Sequence, residues 1–315
     1  MTAAIIALTV LLGVTIPHSA QALRLVKKIA VGGWPKGLAV SPDGERTYVG
    51  LVLDESIAVI ERKTLKVVAR FGVGGRPEGL VLSPDAKRLY VSLADRGRVE
   101  ARNTETGVLE ASIPVPPRPR GLALDATGRY LYVACARASA LAIVDTTHGR
   151  VVGELELGWS PRAIAFVPKT GHLVVVNAVG HSLYVIDPAI PKVLHRIKGF
   201  GRRPLDIAIT RDGQTAFVPA SKKDAVYRVD LAAGRITSSQ TVGSNPVAVA
   251  LSASERSLYV ALWDEGRIAL WPTGGGRSRK VKTGKTPVTL KLSPSGKTLY
   301  AACLRAHEVW VYSTQ

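Results

Sequence analysis

The chain copies one segment seven times, and no other feature limits its fold as strongly. The first copy is residues 34–61, WPKGLAVSPDGERTYVGLVLDESIAVIE. A proline opens each copy, at Pro35, Pro77, Pro119, Pro161, Pro204, Pro246 and Pro287, so the steps are 42, 42, 42, 43, 42 and 41 residues. Thirteen residues past each proline stands an aromatic or apolar side chain: Tyr48, Tyr90, Tyr132, Val174, Phe217, Tyr259 or Tyr300. A further 13 lead to Glu61, Asn103, Asp145, Asp187, Asp230, Pro272 and Ser313. Every change in length therefore falls between copies, as it does for rigid packed units with adjustable connectors. Self-similarity at this period is the signature of a propeller or solenoid.

Each copy reads as four short strands. Strand A follows the proline, at residues 37–41, 79–83, 121–125, 163–167, 206–210, 248–252 and 289–293. Its bulky positions alternate with Gly or Ala, as a crowded innermost strand requires. A turn such as Ser41-Pro42-Asp43-Gly44 leads to strand B with its Leu-Tyr-Val core. Strand C includes residues 57–60, 141–144, 183–186 and 309–312, and strand D closes the blade on the outside. Residues 23–31, LRLVKKIAV, resemble the segment before each later proline, and the last copy stops at Gln315 without one. The N-terminal strand is therefore expected to complete the last blade and leave no open edge. The expected fold is all-β: a seven-bladed β-propeller over residues 23–315 with four antiparallel strands per blade.

Residues 1–22 differ from everything after them. They are apolar from Ala3 to Ile16, carry no charged side chain and end in Ala20-Gln21-Ala22, a small-x-small cleavage pattern. The apolar run is shorter than the ~20 residues a bilayer span needs. The reading is a secretory signal cleaved after Ala22, which places the mature chain in the periplasm or outside the cell. Its two cysteines, Cys135 and Cys303, both fall three residues after the repeat tyrosine, in copies three and seven. Equivalent positions on separate blades stand beyond the ~7 Å Cα limit for bridging. Two unpaired, buried thiols are expected.

The copies read GLAVSPDGERTYV, GLVLSPDAKRLYV and ALAIVDTTHGRVVGELELG. They resemble the YVTN-type bacterial β-propeller repeat family, and the resemblance covers residues 23–315. Copies four to six depart from it, with Val174 and Phe217 in place of tyrosine and Ser252-Ala253-Ser254 at the turn, although the spacing is kept. The resemblance implies a propeller. Its relatives include surface-layer proteins, lactonase-like proteins and accessory propellers of periplasmic quinone- and haem-dependent dehydrogenase systems, so it implies no single function.

The formal charge is +18, from 42 Lys and Arg against 24 Asp and Glu, and all of it lies on the mature chain. Such a balance speaks to partners rather than to fold. In a four-stranded blade the D-to-A and B-to-C loops share one face, around the mouth of the central channel. On that face the candidate ligand-binding residues are Trp34, Arg76, Arg118, Arg120, Arg137, Trp159, Arg162, Arg203 and Trp263. Lys36 and Glu78 lie on the same loops. Arginine beside tryptophan suits a planar anion or an acidic sugar, because guanidinium pairs carboxylates bidentately and also stacks. Two strand-A positions break the pattern and join the candidates: Lys291 stands where other copies have Ala or Val, and Asp206 replaces Gly, Ala or Thr.

Catalytic and redox motifs are missing from the sequence. It contains no Gly-x-Ser-x-Gly and no His-Glu-x-x-His, and without Cys-x-x-Cys-His there is no covalent c-type haem attachment. His181, His307 and Cys303 lack the spacing of a zinc or copper site. No catalytic residue, metal or cofactor is assigned. The expected function is an exported, non-enzymatic binding or scaffold protein, a monomer, whose basic, Trp-bearing face takes an acidic protein or anionic glycan. Peripheral contact with an anionic envelope surface fits the same charge, and nucleic acid does not fit the compartment. The alternative is a lactonase-like or lyase-like enzyme, or an accessory propeller of a periplasmic quinone- or haem-dependent dehydrogenase system.

Overall fold

Each sequence copy becomes one blade. The computed structural model describes residues 23–315, which form seven four-stranded antiparallel sheets. The predicted leader, residues 1–22, lies outside the described residues.

The repeat proline sets the start of strand A, a position where a missing N–H is tolerated. Pro35 pairs with Leu51, and Pro77, Pro119, Pro161, Pro246 and Pro287 occupy the same register in their own blades. Strand A accordingly starts at the proline, two residues earlier than the sequence suggested: Pro35–Val40 in blade 1, Pro77–Leu82 in blade 2 and Pro119–Leu124 in blade 3. In the turn that follows, Ser41 Oγ donates to Asp43 Oδ1, and the amides of Glu45 and Arg46 close back onto Asp43 and Ser41. Ser83 and Asp85 repeat the arrangement in blade 2. These local bonds explain why Ser-Pro-Asp recurs at this point.

Blade 5 departs from the expectation. Its strand A was expected over residues 206–210 but spans only Ala208–Ile209. The register of this pair, Ala208 opposite Phe217, carries Asp206 opposite Pro219. Pro219 O accepts the Leu205 N–H at 3.2 Å, so the ring nitrogen also faces strand A and has no hydrogen to give. The ladder fails there, and Asp206 turns to the neighbouring blade, where its Oδ2 accepts the Val249 N–H at 3.0 Å.

The ring closes as expected. Arg24–Ala30 pairs antiparallel with Glu308–Ser313, from Arg24 opposite Ser313 to Ala30 opposite Glu308. A hydrogen bond that recurs around the ring shows that this strand is equivalent to the other outer strands. The residue 20 positions after each proline is left-handed in all seven blades, with φ of 45° at Glu55, 55° at Ser139 and 58° at His307. The carbonyl of that residue takes an amide from the end of strand D: Val73 to Glu55, Leu157 to Ser139, Val242 to Asp224. Val31 makes the same bond to His307 O at 3.0 Å across the closing seam.

The core lies between blades rather than within them. Tyr48, Ile57 and Val59 of blade 1 pack against Leu80, Leu89, Val91 and Leu93 of blade 2, and the Tyr48 hydroxyl reaches Thr104 O. The repeat aromatic is therefore the wedge that fixes the angle between one blade and the next. Cys135 and Cys303 are buried free thiols, as expected. Burial pushes them up to about 12 and about 11, so neither is a thiolate at neutral pH.

Candidate functional site at the channel mouth

One column of the repeat builds the site. The residue after each proline points into the channel mouth, and around the ring the column reads Lys36, Glu78, Arg120, Arg162, Leu205, Val247, Val288. All seven line one cavity of about 170 Å³. Blades 1 to 4 thus supply a charged wall, and blades 5 to 7 face it with an apolar one.

A second cavity, of about 260 Å³, adjoins the first and keeps the division. Lys36, Arg120, Arg162 and Arg203 line it on one side, and Leu205, Val247, Val288, Trp263 and Leu304 on the other. Leu205 and Val247 belong to the core cluster against which Trp263 packs, so the apolar wall is anchored from behind.

The charged wall is crowded because the inner strands approach closely. A Cβ on Gly79 would collide with Arg120 O, and one on Gly121 with Arg162 O. Glycine after the charged residue in the first three copies is therefore needed to bring consecutive strands A together. Lys36 pairs with Glu78 at 2.5 Å, and the same carboxylate oxygen lies 3.9 Å from Arg120 Nη1. Burial by itself would raise the Glu78 carboxyl, but Lys36 and Arg120 outweigh it and hold the group below its ordinary value.

Glu78 does not balance the cations beside it. Burial brings Arg162 down to about 10, and the nearby Arg120 guanidinium adds to the effect. Arg162 remains charged at neutral pH, yet among the described residues only more distant charges influence it. Burial likewise lowers Arg120, with Arg118 and Arg203 adding to it against Glu78, and its Nε has no hydrogen-bond partner. Two guanidinium groups thus sit in an enclosed mouth with one shared carboxylate between them and Lys36.

Six of the predicted residues gather around this channel. Arg120, Arg162, Arg203 and Trp263 line the mouth cavity, while Asp206 and Lys291 line the deeper one. Lys291 also borders the cavity at the opposite end of the channel. Burial raises the Asp206 carboxyl, against the pull of amide bonds from Val249 and Ile207 and the charges of Lys291 and Arg162.

The other five predicted residues lie elsewhere. Trp34, Arg76 and Arg118 are exposed on the rim, each immediately before its proline. At Trp34, Arg118 and Arg203 this position is left-handed, with φ of 56°, 61° and 56°. A residue preceding proline is normally extended, so the rim is conformationally strained. The Arg203 N–H donates to His181 Nδ1 at 3.2 Å, which helps to hold that arginine over the mouth. Arg137 and Trp159 form a separate shallow depression between blades 3 and 4, with Trp159 74% exposed.

Sequence reasoning placed Lys36 and Glu78 on the correct loops but gave them no role, and it missed Leu205, Val247, Val288 and Leu304. The signal for most of these was present one residue beyond each proline, where the column changes from charged to apolar after copy four. Among the described residues, no group of three or more His, Cys, Asp or Glu side chains could hold a metal ion.

Together the fold and site define the class: a seven-bladed propeller with a two-sided, net-cationic channel mouth. No family model and no curated protein matches the chain. Among solved structures it is similar to Kuenenia stuttgartiensis hydrazine synthase, with a TM-score of 0.80 over 89% of this chain and 95% of that chain. The two are 21% identical, and the likeness is one of fold.

Proposed function

We propose that this chain is an exported binding propeller that holds carboxylate groups of an acidic protein or anionic glycan on its basic loop face and performs no chemistry of its own. The observation that carries the reading is the enclosed Arg120–Arg162 pair, whose charge Glu78 alone does not offset. A buried cation is stable when an anion accompanies it, and a partner's carboxylate would be that anion. Arg76, Arg118 and Arg203 extend the positive field around the mouth and would steer such a partner toward it. The leader pattern of residues 1–22 supports export. Against the lactonase-like or lyase-like alternative, the two carboxylates nearest the mouth are already engaged, Glu78 by Lys36 and Asp206 by the Val249 amide.

Chromatography on immobilised poly-glutamate tests the proposal. Retention is expected at about 0.05 M salt and lost at about 0.5 M, as the screening length falls from roughly 14 to roughly 4 Å. Arg76→Glu with Arg118→Glu, both on the exposed rim, should weaken retention without lowering the melting temperature. Retention that ignores both salt and charge reversal would remove the basis of the reading.

A further inference from the structure

The basic face explains why an anion would come to the mouth but leaves half of the mouth unexplained. The wall opposite the arginines has no charge: Leu205, Val247 and Val288 come from three consecutive blades and are joined by Trp263 and Leu304, with Ser221 and Asn245 as the polar members of the lining. A site for a bare inorganic anion would gain nothing from such a wall, since apolar surface cannot replace the water such an ion loses. A sugar ring inside the cavity would find only Ser221 and Asn245 as polar partners on this side and would leave hydroxyls facing Leu205 and Val247 unpaired, so a glycan would reach the arginines with its carboxylate alone.

We propose that the channel mouth is a binding site for a small organic carboxylate with an apolar body, of the arylalkanoate type. The carboxylate pairs with Arg120 and Arg162, and the body lies against Leu205, Val247, Val288 and Trp263. Size is consistent with this assignment. An apolar cavity of about 150 Å³ admits benzene, and the mouth cavity, at about 260 Å³, has room for an aromatic ring and a short chain. The indole of Trp263, half-buried and packed on the core, offers a fixed edge or face to such a ring.

The charge balance also favours one carboxylate rather than two. Lys36 and Glu78 already neutralise each other, and the Asp206 carboxylate acts on Lys291 as well as on Arg162, leaving Arg162 and Arg120 for a single anion. Arg203, at the lip, remains for capture. The inference rests on the proposed anion-binding reading, because the same arginines supply the counter-charge. It adds that the opposite wall selects the ligand.

Isothermal titration calorimetry of the mature chain with three probes tests it: 3-phenylpropionate, acetate and uncharged 3-phenylpropanol. The expected result is that 3-phenylpropionate binds at least about tenfold more tightly than either of the others, one wall being lost to each. Arg162→Met should abolish the preference for the acid over the alcohol. Val247→Ser combined with Val288→Ser should abolish the preference over acetate. Thermal melts of both variants verify folding, and Val288→Ser alone is the milder replacement if the double change unfolds the chain.

Equal affinity for acetate and 3-phenylpropionate would overturn the inference while leaving the anion-binding reading in place. So would retention on poly-glutamate together with no binding of 3-phenylpropionate. Failure of every carboxylate, small or polymeric, would remove both.

Discussion

At the channel mouth the first four blades and the last three share one repeat position and give it opposite chemistry. In blades 1 to 3 the residue after the proline is charged and the next is glycine, so neighbouring strands close up and crowd Lys36, Glu78, Arg120 and Arg162 together. In blades 5 to 7 the same position holds Leu205, Val247 and Val288, whose surfaces continue the inter-blade core into the channel. The comparison teaches that the repeat separates its duties by column. The side chain 13 residues past each proline sets the blade angle and is aromatic in every copy except the fourth, where it is Val174, whereas the position after the proline faces the channel and can take any character.

The largest predicted effect removes the frame that both halves share. Deleting residues 23–31 leaves the strand Glu308–Ser313 as an open edge and exposes the face under Val31 and Ile29. Cooperative melting should be lost, and the product should associate through the bare edge, as seen by calorimetry and light scattering.

Next in size, Arg162→Met makes the charged wall resemble the apolar one. An enclosed cation without a partner is destabilising, and an apolar side chain of similar length should raise stability by about 1–3 kcal/mol in thermal melts. Carboxylate binding by the same variant should fall by tenfold or more. Higher stability with weaker binding would mark the arginine as kept for its ligand; a fall in both would mean that its role is structural.

Glu78→Gln tests the charged wall from the other side. Lys36 and Arg120 lose their counter-ion, so stability at neutral pH should fall by about 1–3 kcal/mol, while carboxylate affinity rises. Because Glu78 is held below its ordinary value, its contribution is complete above the usual carboxylate range and is lost as pH falls through the folded value. The difference between variant and parent should therefore persist through the ordinary carboxylate range and close only at more acidic pH. A gap that persists in acid would show that the side chain acts by packing.

The smallest effect concerns the carboxylate that the apolar blades carry into the channel. Asp206 is raised by burial, so its ionised form destabilises the fold at neutral pH, and that burden lifts as pH falls through the folded value. Asp206→Asn keeps an acceptor for the Val249 amide and should melt slightly higher than the parent at pH 7, with the two converging in acid. A lower melting temperature at pH 7 would mean that Lys291 and Arg162 depend on the carboxylate more than its enclosure opposes it.

Much of the ring was legible in the sequence, because a period of 42 residues and a fixed internal spacing leave few architectures open. The closing strand could be read from the likeness of residues 23–31 to segments that precede every later proline. Blade 5 could not be anticipated from the period alone, since the short strand A follows from which way the Pro219 nitrogen faces. The site was only partly legible. Gathering the arginines and tryptophans of the loops found Arg120, Arg162, Arg203 and Trp263, but it also took in Arg137 and Trp159, which the blades carry to a different depression. A search for arginine and tryptophan has no term for aliphatic residues, so Leu205, Val247 and Val288 were passed over although they occupy the same column as Arg120 and Arg162.

The seam between Arg24 and Ser313 also affects how the molecule can be made. Its partners are 289 residues apart, so nearly all of the described residues must be in place before Arg24–Ala30 finds its partner strand. Contacts at such separation form late, because the entropy of bringing distant ends together must be met first. A nascent chain can stack blade on blade from its beginning, but it cannot finish the toroid until its last few residues are free. The pairing of Arg24–Ala30 with Glu308–Ser313 is thus the latch of the ring, and until it forms the blades are an open stack that can come apart from either end.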